Sequence, residues 1–171
     1  FKVFNTNKFI KTIQNSKPTI LWLSPLVAKT LVKLKSVEAN YLKSIRYTIS
    51  CTAPLSLDIK LEFENKFNIP LLQSYGLCET LIATIQDPLE KYKNASVGKN
   101  IGPKKSISFN KDKQIIVSNN SLYAGVLSGL NKLQNRNIEG NSYLTNDLGF
   151  IDSNKNIIIT GRIDNLINID G

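Results

Sequence analysis

Residues 45–72 read IRYTISCTAPLSLDIKLEFENKFNIPLL. Ile45 to Ser50 has the β-branched and aromatic character of a strand. Pro54 and Ser56 interrupt it and open a helix, in which Ile59, Phe63 and Phe67 recur every four residues along one face. Asn68 ends the helix, and Ile69 to Leu72 is apolar enough for another strand. Strand, helix and strand in so short a span form the repeating unit of a parallel sheet with covered faces.

The same alternation extends upstream. Thr19-Ile20-Leu21-Trp22-Leu23 is a continuous apolar run, as expected of a strand buried on both faces. Ser24-Pro25 supplies a capping hydroxyl and a proline at the first helical position, and Leu26 to Leu34 continues as a helix. Asn5 or Thr6 caps an earlier helix that has Phe9, Ile10 and Ile13 on one face.

Downstream the character changes near residue 88. Short β-type runs follow, separated by turn residues: Ser106 to Phe109, Ile115 to Ser118, Leu148 to Ile151 and Ile157 to Thr160, the last two joined by a hairpin at Ser153–Asn156. The expected fold class is α/β: a partial parallel layer over residues 1–88, then an antiparallel, distorted barrel-like β part over residues 89–171.

Composition narrows the function classes. The chain has 171 residues, 42% hydrophobic and 20% charged, enough for one ordinary core or part of a larger domain. No apolar run is long enough for a membrane span, and no signal-peptide pattern opens the chain. Cys51 and Cys78 have neither disulfide-framework nor metal-ligand spacing, so a reducing compartment, the cytoplasm, is expected. There is no histidine, which removes the commonest general base and metal ligand. The chain begins at Phe1 and has no methionine, so it reads as an excerpt or processed segment of a longer product. The net charge is +9. A basic polyanion binder would show affinity for generic DNA that falls steeply with salt, but the lysines are scattered rather than clustered. Nucleic acid is not the expected partner.

QSYGLCET (73–80) places a phenol, a glycine, a thiol and one acid directly after an apolar run. It reads as an exposed glycine-permitted turn carrying Tyr75 and Glu79. Ligands of open parallel sheets bind beyond the carboxyl ends of the strands. Cys51–Pro54 and Ser74–Gly76 both follow expected strand ends, which points them toward one crevice.

Four stretches in order, CTAPL (51–55), YGLCET (75–80), YLTNDLG (143–149) and GRIDNLINIDG (161–171), together resemble the adenylate-forming superfamily of acyl- and aryl-CoA synthetases, luciferases and peptide-synthetase adenylation domains. SVGKNIG (96–102) looks like a fifth element. The resemblance covers essentially the whole chain and corresponds to the later part of the family's large N-terminal domain. It implies activation of a carboxylic acid by attack on the ATP α-phosphate, then transfer of the acyl group to a thiol. Such chemistry requires a grip on adenine and ribose and neutralisation of phosphate charge.

On this resemblance, Tyr75 stacks on adenine, with Ser74 and Gly76 beside it, and the Thr52-Ala53-Pro54 backbone forms the opposite wall. Cys51 and Thr52 replace two glycines, so side chains narrow the slot or the backbone is restricted. Glu79 corresponds to the metal-binding acid for Mg²⁺, and equally suits a helix first turn. Cys78 stands where relatives carry a hydroxyl that donates to phosphate; a thiol is a weak donor, and losing that bond costs about 1–3 kcal/mol. Asp147 corresponds to the ribose-binding acid, with Asn146 in place of a glycine. Arg162 reaches the ribose and phosphate region, its donor fork suited to anionic oxygen. Asp164 falls at the hinge to a small C-terminal domain that moves between half-reactions, and Asn168 replaces a common lysine.

The family's phosphate loop and catalytic lysine are not found in the chain, so no catalytic residue is expected within it and the piece alone should not adenylate. In relatives the acyl pocket corresponds to Trp22, Ser24, Ser50, Leu81 and Ala83, mostly apolar, small or neutral. This favours an aliphatic or aryl acid; Trp22 and Leu81 serve equally well as plain core. The implied co-substrates are ATP, yielding AMP, and CoA. A peptide-synthetase adenylation domain and a non-catalytic nucleotide-binding or scaffolding relative are the alternatives.

Overall fold

Local capping chemistry sets the helices. Asn5 Oδ1 accepts a hydrogen bond from the Lys8 backbone N–H at 2.9 Å and opens α1, Thr6–Ser16. Strand β1, Ile20–Leu23, follows. Ser24 Oγ accepts from Val27 N at 3.4 Å ahead of α2, Pro25–Lys33, which has the proline as its first residue. After β2, Tyr47–Ser50, Ser56 Oγ caps Ile59 N at 3.4 Å and opens α3, Leu57–Phe67; the helix ends on Asn68 in the left-handed conformation. Each cap satisfies a backbone donor the helix leaves free, or turns the chain out of it.

The computed structural model describes residues 4–90, 92, 95–101, 106–128, 132–134 and 137–164. They fall into two compact units, described separately. The first runs to Gln73 and takes back a segment beginning at Pro88; the second is Ser74–Asp87 with the described residues from Ala95 onward.

In the first unit β2 pairs in parallel with β1, Ile49 opposite Trp22, and with the start of β3, Leu71–Leu77, Thr48 opposite Leu71. Its core holds Leu31, Leu42, Phe63 and Leu71, none of them exposed, and the Phe63 and Phe67 rings lie 4.7 Å apart. Strand β1 is not buried on both faces. Ile20 is 42% and Trp22 49% exposed, and among the described residues β1 pairs only with β2. A four-residue apolar run does not distinguish an edge strand from a central one.

Two lysines of α3 replace missing backbone partners. Lys60 Nζ, buried, donates to Glu64 Oε1 at 2.7 Å and to the Leu71 carbonyl, while the same Glu64 oxygen accepts from Leu71 N at 2.9 Å. Lys66 Nζ donates to the carbonyls of Leu31, Val32 and Leu34 at 2.9, 3.0 and 2.7 Å, satisfying the C-terminal end of α2.

The second unit contains the remainder of β3, then β4, Leu81–Ile85, and β5, Lys99–Asn100, paired antiparallel. A second sheet follows: β6, Ser106–Phe109, and β7, Gln114–Ser118, then, past the hairpin of β8, Val126–Ser128, and β9, Lys132–Gln134, come β10, Ile138–Glu139, β11, Ser142–Ile151, and β12, Ile157–Arg162. Its order is β10-β11-β7-β6, with β12 on the flank of β11. Among the described residues this sheet is open, so the barrel-like expectation is corrected to an open antiparallel sheet. The expected hairpin is present: Asp152 Oδ1 accepts from the N–H groups of Asn154 and Asn156 at 2.9 and 2.8 Å.

The largest correction concerns QSYGLCET. The strand does not stop at Leu72; β3 runs through Gln73, Ser74, Tyr75 and Gly76 to Leu77, and Tyr75 is buried at 7% exposure rather than presented on a turn. Gly76 is a packing glycine. A Cβ there would run into the Leu81 carbonyl and the Ile82 Cα, and the pairing register shifts between Tyr75 and Gly76.

Candidate functional site

The second sheet is built so that β11 presents an acid inward. Leu144 pairs with Ile116 and Leu148 with Gln114, so three residues of β11 oppose one of β7 in a bulge. Thr145 Oγ1 fills the gap, donating to the Ile115 carbonyl at 2.8 Å and accepting from the Asp147 N–H at 3.1 Å. The bulge turns Asp147 into the unit, where it is 4% exposed.

Two donors hold its carboxylate. Tyr75 Oη donates to Oδ2 at 2.7 Å, and Arg162 Nη1 donates to Oδ1 at 3.1 Å from directly across the β11–β12 pair. Burial, followed by the neighbouring Asp147 charge, pushes the Tyr75 phenol well above the usual tyrosine range. Arg162 is in turn gripped by Asp164: Nε and Nη2 donate to Oδ1 and Oδ2, each at 3.0 Å. That charge-assisted fork raises the Arg162 pKa further, and the guanidinium stays charged at any working pH. Asn146 Nδ2 donates to Asp164 Oδ2 at 3.1 Å. An ionised carboxylate offers about four lone-pair positions. Two are taken at Asp147.

Glu79 lies half-buried in the turn between β3 and β4, its backbone carbonyl accepting from Tyr123 N at 2.9 Å. Tyr123 and Tyr143 stack edge to face, 5.7 Å between ring centres. The Tyr143 phenol is pushed up first by burial and then by the charge of Glu79, and it also feels Arg162 and Asp147. The fields of all three charged side chains therefore overlap at Tyr143. Among the described residues no three His, Cys, Asp or Glu side chains come together. Glu79 fits a hard cation only as one carboxylate whose partners include ligand oxygens, as Mg²⁺ accepts from nucleotide phosphates.

The remaining expected positions are described within their own units. Cys78 is exposed and Thr80 buried in the same turn; Leu81 is 58% exposed and Ala83 lies in the core with Tyr75 and Val97. Ser74 Oγ is buried without a hydrogen-bond partner. In the first unit, Thr52, Ala53 and Pro54 follow the carboxyl end of β2, with Thr52 exposed at φ 79°. Ser50 Oγ is buried without a partner, Ser24 is occupied as the α2 cap, and Trp22 is half exposed. Neither Trp22 nor Leu81 is core. Asn168 lies outside the described residues. Sequence reasoning missed Thr145 and Asn146 as structural partners of the acids; the signal was their place between Tyr143 and Asp147 in YLTND.

A profile of the family described as "AMP-binding enzyme" matches residues 1–107. The chain belongs to the AMP-binding enzyme family. Among curated relatives of this AMP-binding chain, luciferin 4-monooxygenase of Nipponoluciola cruciata is 28% identical over 98% of the chain and 33% of its own length. The 4-coumarate-CoA ligase 1 of Narcissus pseudonarcissus is 26% identical over 98% of the chain and 34% of its own. Among solved structures, the ATP-bound RpMatB-BxBclM chimera B1 superposes with a TM-score of 0.81 at 22% identity, over 96% of the chain and 34% of the chimera. The chain thus spans about a third of the length of the relatives it matches, and it shares the mixed α/β adenylate-forming fold. Among the described residues no helix is long and apolar enough to cross a membrane.

Proposed function

We propose that the second unit grips the ribose and phosphate end of an adenine nucleotide, as part of an enzyme that activates a carboxylic acid as its acyl-adenylate. The observation carrying this reading is the Asp147 carboxylate, buried and fixed by Tyr75 and Arg162, which together use only part of its acceptor capacity. Arg162 uses three of its five N–H donors, so two remain for anionic oxygen. In the proposed reaction an acid oxygen bonds to the α-phosphorus of ATP, the bond to the bridging oxygen breaks, and pyrophosphate leaves. A thiolate, that of CoA, then attacks the acyl carbon and AMP departs. Glu79 would supply one oxygen to Mg²⁺, whose role is to neutralise phosphate charge. A fatty or aryl acid is the proposed substrate; the 4-coumarate-CoA ligase relative supports an acid substrate of the aryl kind. Tyr75 orients Asp147 through its hydroxyl.

Calorimetric titration of AMP into the wild-type chain and Asp147→Ala tests this. Loss of at least about tenfold in affinity, the cost of one charge-assisted pair of contacts, is expected; equal affinities would end the reading. No pyrophosphate exchange is expected from the chain alone.

A second reading, a nucleotide-binding or scaffolding relative without catalysis, is favoured by Thr52. A β-branched residue at φ 79° is strained where a glycine would be at ease. Full AMP binding by the longer parent chain without acid-dependent pyrophosphate exchange would support it.

A further inference from the structure

The family pattern resembled by YLTND has a glycine where this chain has Asn146, and a glycine has no side-chain donor. Here that donor is in use. Asn146 Nδ2 reaches Asp164 Oδ2 at 3.1 Å, and the Ile163 N–H returns to the Asn146 carbonyl at 2.8 Å, so β11 is tied to the end of β12 by both backbone and side chain. The opposite amide orientation would set a carbonyl oxygen against a carboxylate and is excluded on charge alone.

Asp164 is thereby held from two sides. Arg162 takes both its oxygens, and Asn146 takes a further lone pair of Oδ2. The Asp164 side chain keeps about a quarter of its surface in water (27% exposed). A partly exposed ion pair wanders among rotamers and contributes little by itself; a third, neutral donor on the same oxygen removes that freedom. With Nε and Nη2 fixed by Asp164, the planar guanidinium has one remaining edge, and Nη1 on that edge meets Asp147 Oδ1 at 3.1 Å.

We propose that Asn146 is a positioning residue for Arg162: it immobilises Asp164, which orients the guanidinium toward Asp147. The effect on nucleotide affinity rests on the function proposed above; the positioning itself does not.

The test is nitrogen-15 NMR of the arginine side chains in the intact chain. There are only three arginines, Arg46, Arg136 and Arg162, so the Nε–H signal of Arg162 is assignable by an Arg162→Lys control. The variants are Asn146→Gly and Asn146→Leu, the second keeping side-chain bulk without a donor. In both, solvent exchange of the Arg162 Nε–H is expected to quicken about fivefold, the change that one ordinary hydrogen bond makes in a population. Exchange of a guanidinium N–H is catalysed by base, so all samples are compared at one fixed pH at which each is folded. A change confined to general stability would not move this rate in a folded sample. An unchanged exchange rate in whichever variant folds would overturn the proposal. AMP titration of the same samples separates the two ideas: quickened exchange with no AMP binding by any sample leaves the positioning standing and removes the nucleotide reading.

Discussion

The first unit is held by an apolar core and the second by polar side chains mending its own backbone. Thirteen described residues, from Ile10 to Leu71, form the first core, against six in the second, one of them Tyr75. In their place the second unit buries Thr84, Gln86, Asn119 and Thr145. Each donates to a main-chain carbonyl, of Val97, Ser96, Thr80 and Ile115 respectively, at 2.6–3.2 Å. Short strands with register shifts leave carbonyls unpaired, and a buried unpaired carbonyl is costly. The difference teaches where a fold can place a buried carboxylate: among groups already arranged to satisfy polar atoms, not inside a packed hydrocarbon layer.

The comparison can be broken most forcefully at Phe63. It is fully buried against Phe67, and Phe63→Ala should remove about 3–5 kcal/mol in urea unfolding; a loss under about 1 kcal/mol would mean the first unit does not depend on its apolar core. In the second unit, Tyr75→Phe keeps the ring and deletes one charge-assisted bond, so about 1.5–3 kcal/mol should go. The same variant sharpens the contrast on the alkaline side. The Tyr75 pKa is raised in the fold, so above about pH 10 the unfolded chain loses a proton that the folded one keeps, and stability falls as pH rises. Wild type should fall more steeply there than Tyr75→Phe, and in an alkaline absorbance titration one of the six tyrosines should ionise only on unfolding.

A smaller effect is expected at Lys66. Lys66→Met leaves three helix-end carbonyls to water and should cost about 1–2 kcal/mol. Its pKa is lowered by burial, so its pH trend runs opposite to that of Tyr75: the unfolded chain binds the extra proton, and stability rises with pH toward the usual lysine range. The smallest change is a gain. Thr52→Gly relieves a left-handed backbone at an exposed β-branched residue and should stabilise by about 1 kcal/mol. No gain would show that other contacts of Thr52 compensate the strain.

Much of the first unit was legible because its signals are local. Ser24-Pro25, Ser56 and Asn68 each act within four residues of themselves, and all three mark helix ends in the structure. Tyr75 and Gly76 were misread for the converse reason. A glycine after an aromatic looks like a turn, but what selects it is the Leu81 backbone passing close by, a constraint from the neighbouring strand. At the site, the nearness of Asp147 and Arg162 was readable from the hairpin between them, but a one-residue register shift between Leu148 and Gly149 sets them directly opposite. The Tyr75–Asp147 bond, 72 residues apart, and the Asn146–Asp164 contact depend on a bulge that composition does not announce.

Of nineteen lysines in the chain, Lys60 has its ammonium enclosed by a glutamate and a main-chain oxygen, with its side chain only 6% accessible. An amine-reactive acylating label should therefore bypass it while marking exposed neighbours, and mass spectrometry of the labelled peptides would register residue 60 only when α3 lifts from the start of β3. That silent amine turns ordinary surface footprinting into a clock for the opening of the first unit.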